Sequence, residues 1–486
     1  MSMTGNRERN PNVSRRKFLG HSAVAGMGSV VSAGAANARS LPRGSQRPNI
    51  VYIHSHDSGR HLEPYEGGVP TPAIAGLARE GILFHKAFSG APICSPSRAA
   101  MLTGQPAHAS GMLGLAHRGF SLNDPQQLLF RYLQNYGYQS ILTGMQHVAA
   151  DPNTLGYDRN LCQRSANGHW LSEASIVAPV AERFLDSRPK QPFFLDVGFF
   201  ETHRDYPSPT AQDRAAVRSV PGPVPDTPET REDYAAFGAS ARQLDEGVGR
   251  VLEALRRNGY DRNTLLVFTT DHGIAFPRMK CNLTDDGTGV SLILKGPGIA
   301  PGQETDVMVS QIDLFPTLCA YLNIPAPSWL TGKSFLPVLS GSKTEIHQAV
   351  FAEVTYHAAY EPMRSIRTSR WKYIRRFGGR ARPVLPNCDD SPSKTVWLDA
   401  GWKHQTLPEE ALYDLMFDPT EHDNQILNSA HAEVVRDLRH RLDRWMRQTR
   451  DPLLKGAVAA PAGAVVNLVD GVSPGEPTVP VVGKGS

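Results

Sequence analysis

The sequence is poor in cysteine. Cys94, Cys162, Cys281, Cys319 and Cys388 are five in 486 residues, an odd number at long intervals with no C-x-x-C pair. That argues against a disulfide framework and against a structural zinc site, both of which need closely set cysteines. Long apolar runs are also missing. The weakly apolar stretch from His21 to Ala36 is too short and too rich in glycine to cross a bilayer, so no stable membrane span is expected. A surplus of one charge is missing too. The formal net charge is +4, and residues 1–38 account for all of it, with Arg7, Arg9, Arg15, Arg16 and Lys17 against Glu8. The remainder is near neutral. Nucleic acid is therefore not an expected partner, since a phosphate-binding face needs clustered Lys and Arg. A local basic pocket for a small anion stays open.

The amino terminus reads as an address. Ser14-Arg15-Arg16-Lys17-Phe18-Leu19, the weakly apolar stretch and Ala36-Asn37-Ala38 follow one another in the order of a twin-arginine export signal with its cleavage site. Residues 1–38 are assigned to that signal. The twin-arginine export machinery is the expected partner, and a periplasmic or secreted location the expected destination. That route carries folded proteins, which suits an enzyme given its metal or a covalent modification beforehand.

Beyond residue 38 the pattern is that of an α/β protein. Asn49–Ile53, Phe193–Phe199, Leu265–Phe268 and Val290–Leu294 are short β-branched or aromatic runs and read as buried strands. Ile74, Leu77 and Ala78 follow Thr71-Pro72, a cap with proline at the first helical position. Residues 231–257 place Tyr234, Phe237, Ala241, Leu244, Val248, Val251 and Leu255 on one helical face. Alternating strands and helices predict a large, mostly parallel sheet between helices. The texture changes near residue 345. Trp371–Ile374 and Glu410–Asp414 read as strands and 430–447 as a helix, so 39–345 is expected as the main domain and 346–455 as a smaller α+β region. Residues 456–486, mostly Gly, Pro, Val and Ala, are expected to be a poorly ordered tail.

Cys94-Ser95-Pro96-Ser97-Arg98 carries the most information. It opens a helix that runs through Ala99–Leu102 and stops at Gly104. Cys94 then sits where free N–H groups and the helix dipole favour an anion, with Arg98 one turn on. Asp57 follows the first strand and Asp271 the Leu265–Phe268 strand, so both lie at carboxyl ends of strands, where open α/β sheets place their sites. The pattern C-x-P-x-R resembles the modification sequence of the type I, formylglycine-dependent sulfatases. Asn49-Ile50-Val51, Thr71-Pro72-x-Ile74-x-x-Leu77-Ala78, Leu102-Thr103-Gly104 and Thr270-Asp271-x-Gly273 occur in that family's order. His147-Val148, Asn282-Leu283, Gly287-Thr288, Pro362-Met363-Arg364-Ser365 and Asp451-Pro452 are similar to its heparan N-sulfatase (sulfamidase) subgroup.

The resemblance implies an alkaline-phosphatase-like fold and a hydrolase of sulfate esters or sulfamates on a sulfated carbohydrate, N-sulfoglucosamine of heparan-type chains among them. It implies formylglycine made from Cys94 by a formylglycine-generating enzyme. A hydrated aldehyde offers one hydroxyl to attack sulfur and a second whose deprotonation expels sulfate. It places metal ligands at His56, Asp57, Asp271, His272 and the modified Cys94. It gives Arg98 to the nucleophile or the metal carboxylates, His147 to the base, His203 to the acid and Lys280 to the sulfur group. Three positions depart from the family. His56-Asp57 stands for paired aspartates, Asp271-His272 for Asp-Asn, and Met145 for a lysine, without its charge or donor. Ca²⁺ is the first expectation for the ion, and the histidines admit Mn²⁺ or Zn²⁺. The Asp271-His272 pair keeps a phosphonate monoester or phosphodiester hydrolase as an alternative. Met145 keeps a catalytically silent sugar-binding protein as another.

Overall fold

A computed structural model describes residues 47–481; the segment read as an export signal lies outside them. Eight strands form the main sheet: β1 (Asn49–Ser55), β2 (Ile82–Phe84), β3 (Gln139–Gly144), β4 (Arg159–Asn160), β5 (Phe193–Gly198), β6 (Thr264–Thr270), β7 (Leu292–Lys295) and β8 (Gln303–Thr305). Their order is β8-β2-β7-β6-β1-β5-β3-β4. The central strands β3, β5, β1 and β6 are mutually parallel, which sets their carboxyl ends along one edge. β1 and β6 are buried along their whole length, as a parallel sheet covered on both faces requires.

The helices that frame this edge are α1 (Pro72–Arg79), α2 (Cys94–Thr103), α3 (Ala174–Asp186) and α4 (Pro228–Arg257). The apolar face of α4 expected from its periodicity is buried against β1, β5 and β6 in one cluster with Val51, Leu195 and Phe268. Thr71 does not cap α1 with its side chain. It hydrogen-bonds to Glu63 instead, and Asp245 of α4 accepts the free N–H groups of Ala73 and Ile74 at 3.0 and 2.8 Å. The cap is tertiary, which explains why local sequence misplaced it.

Two further expectations change. The run Val290–Leu294 is not one strand. Ser291 turns aside to donate its N–H and hydroxyl to Gly59 O, so Gly289–Val290 pairs with Ala87–Phe88 while β7 runs antiparallel to β6. Nor is the tail loose through its described part, to residue 481. Ala460 and Ala464 are buried, Val465–Val466 pairs with Val479–Pro480, and Asn467 N–H donates to Ala358 O at 2.8 Å. Small side chains let this segment lie close against the body, with order supplied by those contacts.

The carboxy-terminal sheet is antiparallel, in the order β9 (Val350–Tyr356), β10 (Tyr360–Arg367), β11 (Trp371–Arg376) and β12 (Glu410–Asp414). Helix α5 (Ala432–Gln448) lays Leu438, Leu442 and Met446 on Ile366, Tyr373 and Leu412. A buried charge network fastens it to the body. Arg364 of β10 forms a two-pronged pair with Asp451 at 2.5 and 3.0 Å, while Glu353 of β9 accepts from His108 N–H at 3.1 Å. Removing one partner strands the other charge in the interior. Asp451→Ala is therefore expected to lower unfolding free energy by about 3–5 kcal/mol, measured by denaturant titration; a loss within experimental error would show that the network adds nothing.

Candidate active site

The carboxyl ends of the four central strands deliver the site. β1 delivers His56 and Asp57, β6 delivers Asp271 and His272, β3 leads to His147 and β5 to His203. The turn after β1 is tight, with Asp57 at φ +52°. It is held because Asp57 N–H donates to Asp271 Oδ1 at 2.9 Å. The strand-end turns of β1 and β5 are tied by His56 N–H to Glu201 O (2.9 Å) and Thr202 N–H to His56 O (2.7 Å). His203 consequently lies against His56, their ring centroids 4.6 Å apart. Its Nδ1–H donates to Arg204 O, leaving Nε2 free.

Cys94 begins α2 and is buried, as the helix-start reading requires. Ser97 anchors this helix by donating to Asp271 O at 2.6 Å. Burial pushes the Cys94 thiol up, and Asp57 and Asp271 add to that against Lys280 and Arg98. The unmodified side chain is thus held as a thiol, a poor nucleophile.

Around Cys94 the donors converge. Oxygens of Asp57 and Asp271, a ring nitrogen of His56 and the Cys94 sulfur all lie within 4.8 Å of one another. His272 donates from Nδ1 to Gly273 O, so its Nε2 lone pair points inward, 3.3 Å from Asp57 Oδ1 and 3.5 Å from Cys94 Sγ. His56 Nδ1–H bridges Asp57 Oδ1 (2.6 Å) and Asp271 Oδ2 (3.3 Å). Burial lowers the His56 pKa to about 4, against the pull of Asp271 and Asp57. Two fully buried carboxylates linked by one proton, with imidazole and sulfur beside them, make a donor set that fits a divalent cation.

Protein cations flank the cluster. Arg98, fully buried, donates to Asp271 Oδ2 and Ser55 O, both at 3.0 Å. Burial pushes Asp271 up, but His272, His56 and Arg98 outweigh it and hold the carboxyl well below its usual range. Lys280 Nζ sits 2.8 Å from Asp57 Oδ2 and 2.9 Å from Asp389 Oδ2. His147 is at φ +53°, with a ring nitrogen within 4.8 Å of both Cys94 Sγ and a His56 nitrogen. Met145, two residues before His147, is half-buried. All nine residues singled out in the sequence are therefore gathered in one place.

Several neighbours were not anticipated. Asp389 arrives from the carboxy-terminal region with no local motif to announce it. His117 meets His147, with Nδ1···Nε2 at 3.0 Å. Behind Arg98, His54 accepts from its guanidinium and donates Nε2–H to Asp196 at 2.8 Å, and Asp196 also accepts from Tyr157 at 2.6 Å. That chain had a visible signal: His54 and Asp196 each interrupt an otherwise apolar strand.

Residues 48–324 match the family model described as sulfatase, and residues 279–388 match one described as N-sulphoglucosamine sulphohydrolase, C-terminal. The chain is 30% identical to human N-sulphoglucosamine sulphohydrolase, over 86% of this chain and 92% of that one. It is 25% identical to a Δ4,5-hexuronate-2-O-sulfatase of Bacteroides thetaiotaomicron, over 84% and 90%. Among solved structures, a sulfatase described as putative from the same bacterium superposes with TM-score 0.66 at 22% identity, covering 86% of this chain and 96% of that one. Another, of a protein with its substrate D-glucosamine-2-N,6-O-disulfate, gives 0.65 at 20% identity, covering 84% and 99%; these two bear on the fold alone. With the strand-end donor cluster, the Cys94–Arg98 helix start and a family model covering more than half of its length, this chain belongs to the sulfatase family.

Proposed function

We propose that the protein hydrolyses sulfate ester or sulfamate groups of a sulfated sugar, N-sulfoglucosamine of heparan-type chains being the leading substrate. One observation carries the reading: Cys94 opens a buried helix inside a cluster of two carboxylates and two imidazoles, with Lys280 and Arg98 beside it. The match to the sulphohydrolase carboxy-terminal model supports the sulfamidase branch.

Formylglycine at position 94 supplies a hydroxyl to receive the sulfuryl group and a second one whose deprotonation releases it. A cation held by Asp57, Asp271, His56 and His272 supplies a lowered nucleophile pKa and balances sulfate charge. Its finer identity is Ca²⁺, on the strength of the two carboxylates; the imidazoles open the site to Mn²⁺ and Zn²⁺. Arg98 fixes Asp271. Lys280 presents an ammonium to the anionic substrate while it remains paired to Asp57. His203, whose ring lies 4.6 Å from that of His56, serves the leaving group, and His147 serves as base. Export by the twin-arginine route is part of the proposal and rests on Ser14–Leu19.

His272 favours a second reading, hydrolysis of a phosphonate monoester or phosphodiester, through its inward Nε2. Protein from a host that modifies the cysteine is expected to release sulfate from a disaccharide ending in N-sulfoglucosamine, and Cys94→Ala to release none. Phosphate or phosphonate products without sulfate would establish the second reading.

Two further outcomes follow from the cation site. His56→Asp exchanges a nitrogen ligand for an oxygen and adds a negative charge, so metal analysis after dialysis is expected to show greater Ca²⁺ retention against Mn²⁺ and Zn²⁺. Unchanged retention would remove His56 from the ligand set. Lys280→Met leaves Asp57 and Asp389 without their shared counter-charge. It is expected to cost about 3–5 kcal/mol of stability with chelator present and distinctly less with the cation added. An equal loss in both conditions would separate Lys280 from the metal carboxylates.

A further inference from the structure

His117 is exposed, His147 largely enclosed, and the two rings meet edge to edge. Their planes are 7° apart and their centroids 5.3 Å apart, while Nδ1 of His117 and Nε2 of His147 are separated by 3.0 Å. The centroid spacing exceeds the N···N spacing by about the sum of two ring radii. The contact is therefore an in-plane hydrogen bond rather than face-to-face stacking.

Such a bond holds one proton, and its direction fixes the His147 tautomer. If His117 donated, the His147 proton would sit on Nδ1, which is buried and has no hydrogen-bond partner. An enclosed N–H without an acceptor is the costlier orphan. If His147 donates from Nε2, its buried Nδ1 is left as a bare lone pair, the form that a base requires, in a ring of which one nitrogen lies within 4.8 Å of Cys94 Sγ. We propose that His117 is a positioning residue that accepts the Nε2–H of His147 and so holds its Nδ1 lone pair ready for the proton released at residue 94. The inference rests on reading His147 as the base.

The surroundings of His117 are built to keep it in place. Ala116 N–H donates to Ser95 Oγ at 3.0 Å, which ties the loop to the residue after Cys94. Arg118 NH1 donates to Asn467 Oδ1 at 2.7 Å and its NH2 to Pro474 O at 3.4 Å. Gly119 lies so near the carboxy-terminal segment that a Cβ there would come within 2.8 Å of Ala464 Cα. The segment with the least pattern in the sequence thus clamps the loop that carries His117.

The test compares His117→Ala with His117→Asn, whose side-chain oxygen stands close to the place of Nδ1 and accepts the same hydrogen bond. In full-length protein labelled with nitrogen-15 histidine, and with His147→Gln to assign the signal, wild type and His117→Asn are expected to show His147 protonated on Nε2. His117→Ala is expected to lose that tautomer at an unchanged melting temperature. In sulfate release, His117→Ala is expected to lower kcat by at least about tenfold with KM nearly constant, and His117→Asn to restore most of it. An unaltered His147 tautomer in His117→Ala overturns the proposal, and so does an Asn variant no better than Ala. The spectral comparison needs no turnover, so it decides this inference even where the substrate reading fails.

Discussion

Asp57 and Asp271 are wholly buried beside one another, and the rest of the site answers that constraint. Two like charges in a dry interior repel and lose their hydration. The parallel pairing of β1 with β6 makes the juxtaposition unavoidable, because both strands end at the same edge. Each carboxylate is balanced from a different direction. Lys280 pairs with Asp57 and Arg98 with Asp271, while the His56 proton lies between the two. A divalent cation can take over the role of that proton once His56 releases its Nδ1. The nucleophile position follows from the same arrangement, since Ser97 and Arg98 lock the start of α2 onto the Asp271 turn.

This explains which parts of the molecule were legible in sequence. Strand ends can be read from apolar runs, and a parallel sheet puts their ends together, so the positions of Asp57 and Asp271 were legible, whereas His56 and His272 entered as candidate ligands through the family resemblance. Cys94 and Arg98 were found because one short motif encodes the helix start and the chemistry together. Asp389 and His117 were not, because they reach the site through tertiary contacts and their local sequence holds no periodicity or motif. The cap of α1 was misassigned for a similar reason: its acceptor, Asp245, lies far along the chain. Ser291 shows how one side chain divides a run of good strand formers. The tail shows that low pattern does not mean low order when small residues fit against a body already formed.

The carboxy-terminal region completes the site. Asp389 shares Lys280 with Asp57, which keeps the ammonium from collapsing onto one partner. The last described segment holds Arg118, and with it the loop of His117. His108 of the main domain pairs with Glu353 and so fastens this region to the body, and the buried Arg364–Asp451 pair beside it makes that attachment strict: the charges are tolerable only while paired. Stability of the carboxy-terminal sheet and geometry of the site are thereby coupled, although the two are far apart in sequence.

The departures from the family pattern make sense together as a matter of charge. A histidine in place of the first aspartate removes one negative charge, and Met145 in place of the lysine removes one positive charge, so the local balance is unchanged. With the imidazoles uncharged, three carboxylates, Asp57, Asp271 and Asp389, face two cations, Lys280 and Arg98. That set carries one net negative charge and repels a sulfated substrate. A divalent cation reverses the sign to one net positive, which attracts it. Substrate binding is then conditional on the metal through electrostatics alone, before any step of the chemistry. Met145 offers neither charge nor hydrogen-bond donor, which on the proposed reading leaves Lys280 and the histidines to do the orienting. An accessory partner such as His117, holding His147 in one tautomer, is the kind of device such a site needs, since a base with fewer neighbours to direct it depends more on its own hydrogen bond.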